Sequence, residues 1–182
     1  TSWTEKLESS NMFGDIRPNL EGLDDHLPYA EILESIWSMS NNKAPGPSGI
    51  IAELFKACVP TRAEAAAIAK DQKGPLAPTT AMGSALDNMA RTIYETGYIP
   101  EGATTAFMVF LFKSKDPMLR ANYRGLSLID MVLKLVTSIA TKRVQDALES
   151  AEFFIPSQGG FRSREECISQ VIALFETADY VV

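Results

Sequence analysis

The feature that most constrains this fold is a pair of short apolar runs separated by a polar stretch. The runs, TTAFMVFLF and GLSLI, are rich in β-branched and aromatic residues, which is typical of buried strands. Between them, residues 113–124 contain four basic side chains and one acidic side chain. The sequence therefore predicts an antiparallel hairpin with buried strands and a long basic tip.

Helical periodicity dominates the rest of the chain. Apolar side chains at helical spacing predict helices in LPYAEILESIWSMSN, in IIAELFKAC, in the segment from Ala81 to Gly97, behind Asp130 and in the last segment of the chain. The predicted inward faces are Met82, Leu86, Met89, Ile93 and Tyr94; then Leu133, Val136, Ala140, Val144 and Leu148; and finally Ile168, Val171, Ile172 and Phe175. Asp130 is expected to cap its helix, and Ser163 with Glu166 forms a capping box. The predicted class is α+β, mostly helical with one small antiparallel sheet.

The acidity of the chain is confined to its first part. Residues 1–34 carry eight acidic and two basic side chains, whereas residues 35–182 carry fifteen of each. We therefore interpret residues 1–26 as an acidic N-terminal arm and residues 27–182 as the folded domain. Within that domain, residues 59–79 contain three prolines and an alanine-rich stretch, and we interpret them as an insertion outside the core.

Several site types find little support in the composition. His26 has no plausible ligand set near it, and Cys58 and Cys167 lie among apolar residues and are expected to be buried thiols rather than metal ligands or a disulfide. No run is long enough to span a membrane, and the start of the chain has no leader, which favours an intracellular protein. The chain begins without methionine and ends inside an apolar helical pattern, so we expect it to be a piece of something longer.

The basic tip permits two interpretations. Lys113, Lys115, Arg120 and Arg124 could hold a polyanion, since arginine suits two-point contact with phosphate. Alternatively, these cations are solvated and only keep an exposed sheet edge soluble. An acidic overall balance argues against a general nucleic-acid binder, but it leaves room for a local basic patch.

Four segments support the first interpretation. They are NNKAPGPSGI, TGYIPEGATTAFMVFLFKSKDP, NYRGLSLIDMVLKL and IPSQGGFRSREECI. In their order and spacing over residues 27–175, they resemble the fingers region of reverse transcriptases, especially those of non-LTR (LINE-type) retrotransposons and the related group II intron proteins.

The resemblance implies roles for particular residues. Lys113 and Arg124 match the lysine and arginine that reach the triphosphate of the incoming nucleotide. The residues that match segments near the template strand are Lys43, Gly46 and Gly49 in one loop, and Gln158, Gly160, Phe161 and Arg162 in another. The implied partners are an RNA template and a DNA primer.

The chain also departs from the family pattern. Ser48 stands where the family usually has aspartate, and Gly125 stands where it usually has proline. The metal-binding aspartates of the family lie in a palm that this chain does not reach, and Asp179 sits on a helical pattern instead of a palm strand. We therefore expect no catalytic residue, no metal site and no polymerisation by this chain alone, although the full polymerase would use magnesium.

Three readings stay open at this point. The chain could be the truncated fingers domain of a reverse transcriptase that retains template or nucleotide affinity. It could be a retroelement-derived, non-catalytic interaction protein, for example a host-adapted or secreted effector, that keeps only the fold. It could also be an unrelated helical domain with chance similarity. In the first two cases, apolar surface that would face a palm is left open to a second copy or a protein partner.

Overall fold

The computed structural model describes residues 23, 25–71, 74–154, 158, 160, 162, 168, 171, 172 and 174–176. The chain divides into two compact units, one comprising Thr1–Leu23 with Thr141–Val182 and the other comprising Asp24–Ala140. The predicted acidic arm apart from residues 23, 25 and 26, the Ser163 and Glu166 capping box, and Phe161, Cys167 and Asp179 lie outside the described residues.

The described elements confirm the α+β class. The part of residues 25–154 that the structure describes forms five α-helices and two strands, in the order α1 (Tyr29–Ser38), α2 (Ala52–Cys58), α3 (Arg62–Asp71), α4 (Ala81–Thr96), β1 (Phe107–Phe112), β2 (Tyr123–Leu128) and α5 (Met131–Ser150). Short 3₁₀ turns occupy Glu101–Ala103 and Arg120–Asn122. None of the helices in the described part of the chain is long and apolar enough to cross a membrane.

Local capping interactions set the ends of α4 and the start of α5. Thr80 accepts the Gly83 N–H at the start of α4, and Gly97 ends the same helix in the left-handed conformation with φ of 68°. At the start of α5, the Asp130 carboxylate accepts the Val132 N–H at 3.3 Å. The predicted Asp130 cap is thus confirmed.

One apolar core lies in the unit comprising Asp24–Ala140. Its largest fully buried side chains are Leu27, Ile32, Leu33, Ile36 and Leu135. They come from α1, from Leu27 two residues before α1, and from α5. Leu86, Ala90 and Ile93 of α4 join the same cluster.

The hairpin is confirmed, but the expectation that its strands are buried is wrong. β1 and β2 pair in antiparallel register from Phe107 opposite Leu128 to Phe112 opposite Tyr123. All six side chains of β1 are between 41% and 65% exposed. In the described part of the chain the sheet has only these two strands, so it has too few neighbours to enclose a run that is apolar on both faces.

Two helices bury faces that differ from the predicted ones. α5 buries Met131, Val132, Leu135, Val136 and Ile139, so only Val136 of the predicted stripe is correct, and Val144 is 43% exposed. On α4 the predicted Leu86 and Ile93 are buried, whereas Met82 and Met89 are exposed. Both helices carry apolar residues on more than one stripe, so periodicity alone does not decide which stripe meets the core.

The expectation that residues 59–79 lie outside the core is also wrong. This segment forms α3, buries Val59 and Ala65, and packs Leu76 against the core. The Trp37 indole N–H donates to the Pro60 carbonyl at 3.0 Å, which ties the segment to α1. Its interpretation as an insertion stays a prediction.

The side chains expected to face inward from the last segment are open to solvent. Ile168, Val171, Ile172 and Phe175 are 45% to 67% exposed. Cys58, expected to be buried, is half-buried and has a free thiol.

Candidate functional site

Internal hydrogen bonds hold the basic tip of the hairpin in place. Asp116 organises it, because its carboxylate accepts the Met118 N–H at 2.9 Å and its carbonyl accepts the Asn122 side-chain amide at 2.7 Å. The Tyr123 hydroxyl donates to the Pro117 carbonyl at 3.0 Å, and its ring packs on Phe112 with centroids 5.4 Å apart. Lys113, Lys115 and Arg120 therefore project from a loop that is held by its own hydrogen bonds, and Arg124 follows the loop on β2.

The strand register places Lys113 and Arg124 on one face of the hairpin. Arg124 pairs with Leu111, and the Lys113 N–H donates to the Asn122 carbonyl at 2.8 Å, which extends the ladder by one residue. Paired residues share a face, and so do residues two apart on a strand, so Lys113 and Arg124 are diagonal neighbours. The Cβ atoms of such neighbours lie about 7 Å apart, within reach of one ligand for two long side chains.

Both cations are exposed, and within the described part of the chain they are unpaired. Among the described residues, neither Lys113 nor Arg124 has a carboxylate within ion-pair distance. Their positive charge is therefore not neutralised within this part of the molecule, and it remains directed to solvent. Lys115 and Arg120 are also exposed.

The loop that carries Lys43 is anchored from α2. The Glu53 carboxylate accepts the Asn42 N–H at 2.6 Å, and the Lys56 ammonium donates to the Met39 carbonyl and to the Asn41 side chain, both at 2.6 Å. The Asn42 N–H, with a smaller contribution from Lys56, holds the pKa of Glu53 below its ordinary value. The carboxylate anchor is thus ionised and in place at neutral pH, and Lys43 beside it is exposed.

The two glycines of this loop are required for different reasons. Gly46 is buried, and a Cβ there would lie 2.5 Å from the Ile129 carbonyl oxygen and 2.8 Å from the Asp130 nitrogen. Gly49 has open space around it but adopts φ of 71°. The close approach that Gly46 permits is thus to the backbone between β2 and α5, and contact of either glycine with a template stays a prediction.

Arg162, in the other unit, is already engaged. Its guanidinium donates to both Glu149 carboxylate oxygens, at 3.2 and 3.1 Å, and lies 5.4 Å from the centre of the Phe154 ring. The Gln158 side-chain amide donates to the Gly160 carbonyl at 3.1 Å. This geometry gives Arg162 a structural role at the end of α5, and a template contact would require the pair with Glu149 to open.

Sequence reasoning missed three polar features. They are the loop anchors Glu53 and Lys56, the Asp87–Arg91 ion pair on α4, and Lys134 on α5, which lines a cavity together with Lys43. Lys134 had a visible signal, since it interrupts the apolar run MVLKLV. In the portion of the chain covered by the structure, no group of three or more His, Cys, Asp or Glu side chains is arranged to hold a metal ion.

A comparison with protein-family models gave no match to this chain.

Proposed function

We propose that this chain is a fingers domain of the type found in reverse transcriptases of non-LTR retrotransposons and group II introns, and that it binds nucleic-acid or nucleotide phosphates through Lys113 and Arg124. The observation that supports this most is the shared face of these two cations on an internally braced tip. Because the tip is already held by its own hydrogen bonds, binding of an anion would have to order only the Lys113 and Arg124 side chains and not the loop as well. This placement also agrees with the roles that the sequence resemblance implies.

The template side of the proposal concerns the loop that carries Lys43. Because Gly46 is buried, the loop would reach a template strand through Lys43. The proposal includes no metal-dependent step and no polymerisation. The proposed activity is binding alone.

A primer–template binding assay tests this function. We expect an RNA template annealed to a labelled DNA primer to bind with an affinity that falls steeply as salt rises, because phosphate contacts release counterions. The Lys113→Ala, Arg124→Ala double variant should bind at least about tenfold more weakly, since each hydrogen bond to a charged group contributes about 1.5 kcal/mol or more. The slope of log affinity against log salt concentration should become shallower by about 2, because two phosphate contacts are lost. Fluorescence anisotropy at several salt concentrations measures both quantities.

A charge-matched variant controls for the loss of positive charge. Lys70→Ala with Lys142→Ala removes two exposed lysines that belong to α3 and α5 and not to the hairpin, and should leave binding nearly unchanged. All four substitutions are at exposed positions, so the melting temperatures should match that of the wild type. Equal loss of binding in both double variants would mean that general charge, and not the tip, holds the nucleic acid, and the proposal would fail.

A second candidate function, that of a non-catalytic interaction protein, is favoured by the exposed apolar strand. β1 contains no charged residue, its side chains are exposed on both faces, and its outer edge is unpaired in the described part of the sheet. Edge strands of this kind pair readily with other chains. We take a second copy as the occupant, because an identical β1 offers the same length and apolar character, and antiparallel pairing about a two-fold axis closes the assembly.

Self-association therefore gives this candidate its own test. The molar mass from light scattering should rise with concentration for the wild type, and Phe110→Lys should keep the chain monomeric, because Phe110 is the most exposed side chain of β1 at 65%. Phe110 lies on the face opposite Lys113 and Arg124, so the same variant should retain primer–template binding. A wild type that stays monomeric at every accessible concentration would exclude this candidate.

A further inference from the structure

A cavity in the unit comprising Asp24–Ala140 lies beside the Lys43 loop. It has a volume of about 420 Å³ and is lined by the loop, the end of α1, the end of β2 and the start of α5. The side chains that matter here are Lys43, Lys134, Ser40, Met39, Leu128 and Met131.

The charged part of the lining is cationic. Lys43 comes from the loop and Lys134 from the first turn of α5, and both are exposed. Among the described residues that line the cavity, none is acidic, and neither ammonium has an ion-pair partner in that part of the chain. Asp130 lies one residue before the lining, but it is buried and its carboxylate caps α5. The cavity thus presents two lysines with no lining carboxylate to offset them.

The remaining lining is largely apolar. Met39, Leu128 and Met131 provide flexible and branched hydrocarbon surface, and Ser40 adds a hydroxyl. The volume falls within the range of small-molecule sites, about 300 to 1,000 Å³, and is far larger than an inorganic anion requires. A matching ligand therefore has an anionic group for the lysines and a flat or apolar group for the methionines and leucine.

The walls of the cavity are held in place by polar contacts. The Ser35 and Ser138 hydroxyls are hydrogen-bonded at 2.6 Å and join α1 to α5. Lys56 binds the Met39 carbonyl, and Gly46 packs on the backbone of Ile129 and Asp130. The loop, both helices and the end of β2 are thereby connected, so the cavity is formed before any ligand arrives.

We propose that this cavity binds a nucleoside 5′-phosphate unit, either free or as one residue of an RNA strand. Lys134 and Lys43 hold the phosphate, while Met39, Leu128 and Met131 pack against the base. The proposal rests on the proposed function in that the Lys43 loop is the loop expected to approach a template. Lys134 and the apolar wall come from the structure alone.

Calorimetric titration of the whole chain tests the proposal with four probes: uridine 5′-monophosphate, uridine, inorganic phosphate and tetrauridylate. We expect the monophosphate to bind more tightly than either uridine or phosphate, because only the monophosphate fills both parts of the cavity. Lys134→Ala should weaken its binding about tenfold, the loss that corresponds to one charge-assisted hydrogen bond. Lys142→Ala removes another exposed lysine of the same helix, outside the cavity lining, and should bind like the wild type.

Each outcome decides a part of the assignment. Tetrauridylate bound with the same sensitivity to Lys134→Ala supports a strand site, and binding of the monophosphate alone supports a site for a free nucleotide. Equal affinity for phosphate and monophosphate, equal affinity for uridine and monophosphate, an unaffected Lys134→Ala variant, or no binding at all would each overturn the proposal.

The two proposals can fail separately. If primer–template binding depends on Lys113 and Arg124, but Lys134→Ala changes the affinity for none of the probes, the proposed function would stand and the cavity proposal would be rejected. If the chain does not bind primer–template, but binds the monophosphate and Lys134→Ala weakens that binding, the cavity proposal would stand and the proposed function would be rejected.

Discussion

Gly46→Ala is expected to lower the free energy of unfolding by about 3 kcal/mol, the upper end of the usual cost of overpacking. The added Cβ would lie 2.5 Å from the Ile129 carbonyl oxygen and 2.6 Å from its carbonyl carbon. These are backbone atoms where β2 ends and α5 begins, so no side-chain rotation relieves the clash. Either the loop or the start of α5 must move. Urea unfolding followed by far-ultraviolet circular dichroism measures the loss.

Two other glycines separate crowding from backbone conformation. Gly102→Ala meets no atom within 4 Å and has no positive φ, so it should be nearly neutral. Gly49→Ala also meets no atom, but its φ of 71° costs a residue with a side chain about 1 kcal/mol. The expected order of destabilisation is therefore Gly46, then Gly49, then Gly102. A Gly46→Ala variant as stable as Gly102→Ala would show that the loop is not packed against α5 as described.

The sequence predicted the elements that depend on local chemistry. Helix α4 shows why, since its start at Thr80 and its stop at Gly97 depend on neighbouring residues alone. The hairpin is equally local, because its two apolar runs are separated only by the tip. Asp130 as a cap follows from the same kind of short-range hydrogen bond.

Burial was predicted less well, because it depends on what covers an element. β1 has the composition of a buried strand, yet its six side chains are exposed. On α5 two apolar stripes compete, and the one through Leu135 and Ile139 joins the core through tertiary packing that no local pattern encodes. Ala65 of α3 enters the core from a helix with little apolar periodicity.

In the candidate site, too, the residues whose positions depend on local structure were predictable, and those that depend on tertiary packing were not. Lys113 and Arg124 were predictable as a pair because a hairpin fixes its own register. Lys43 and Lys134 share a cavity only because the loop after α1 packs beside the start of α5. Arg162 was expected to meet a template, and its pairing with Glu149 depends on a contact that the sequence does not reveal.

Asp87→Ala is expected to cost about 3 kcal/mol, because it leaves a largely buried guanidinium without its carboxylate. The Asp87 and Arg91 side chains are 11% and 19% exposed, and Arg91 Nε donates to both carboxylate oxygens at 2.9 and 3.0 Å. Arg91 Nη1 also donates to the Leu27 carbonyl and contacts the His26 ring. The pair thus links α4 to the residues that lead into α1. Thermal and urea unfolding should both report the loss.

Two controls distinguish a buried ion pair from other effects at these positions. Glu34→Ala removes the partner of Arg62 on the surface, where the side chains are 53% and 65% exposed, and should cost only about 0.5 kcal/mol. Tyr29→Phe removes a hydroxyl that is buried without a hydrogen-bond partner among the described residues, so it should be neutral or stabilising. Burial raises the pKa of the Tyr29 phenol, and the nearby charge of Asp87 contributes a smaller increase. If Asp87→Ala cost no more than Glu34→Ala, the guanidinium would have to be solvated, and the link between α4 and α1 would rest on apolar contacts alone.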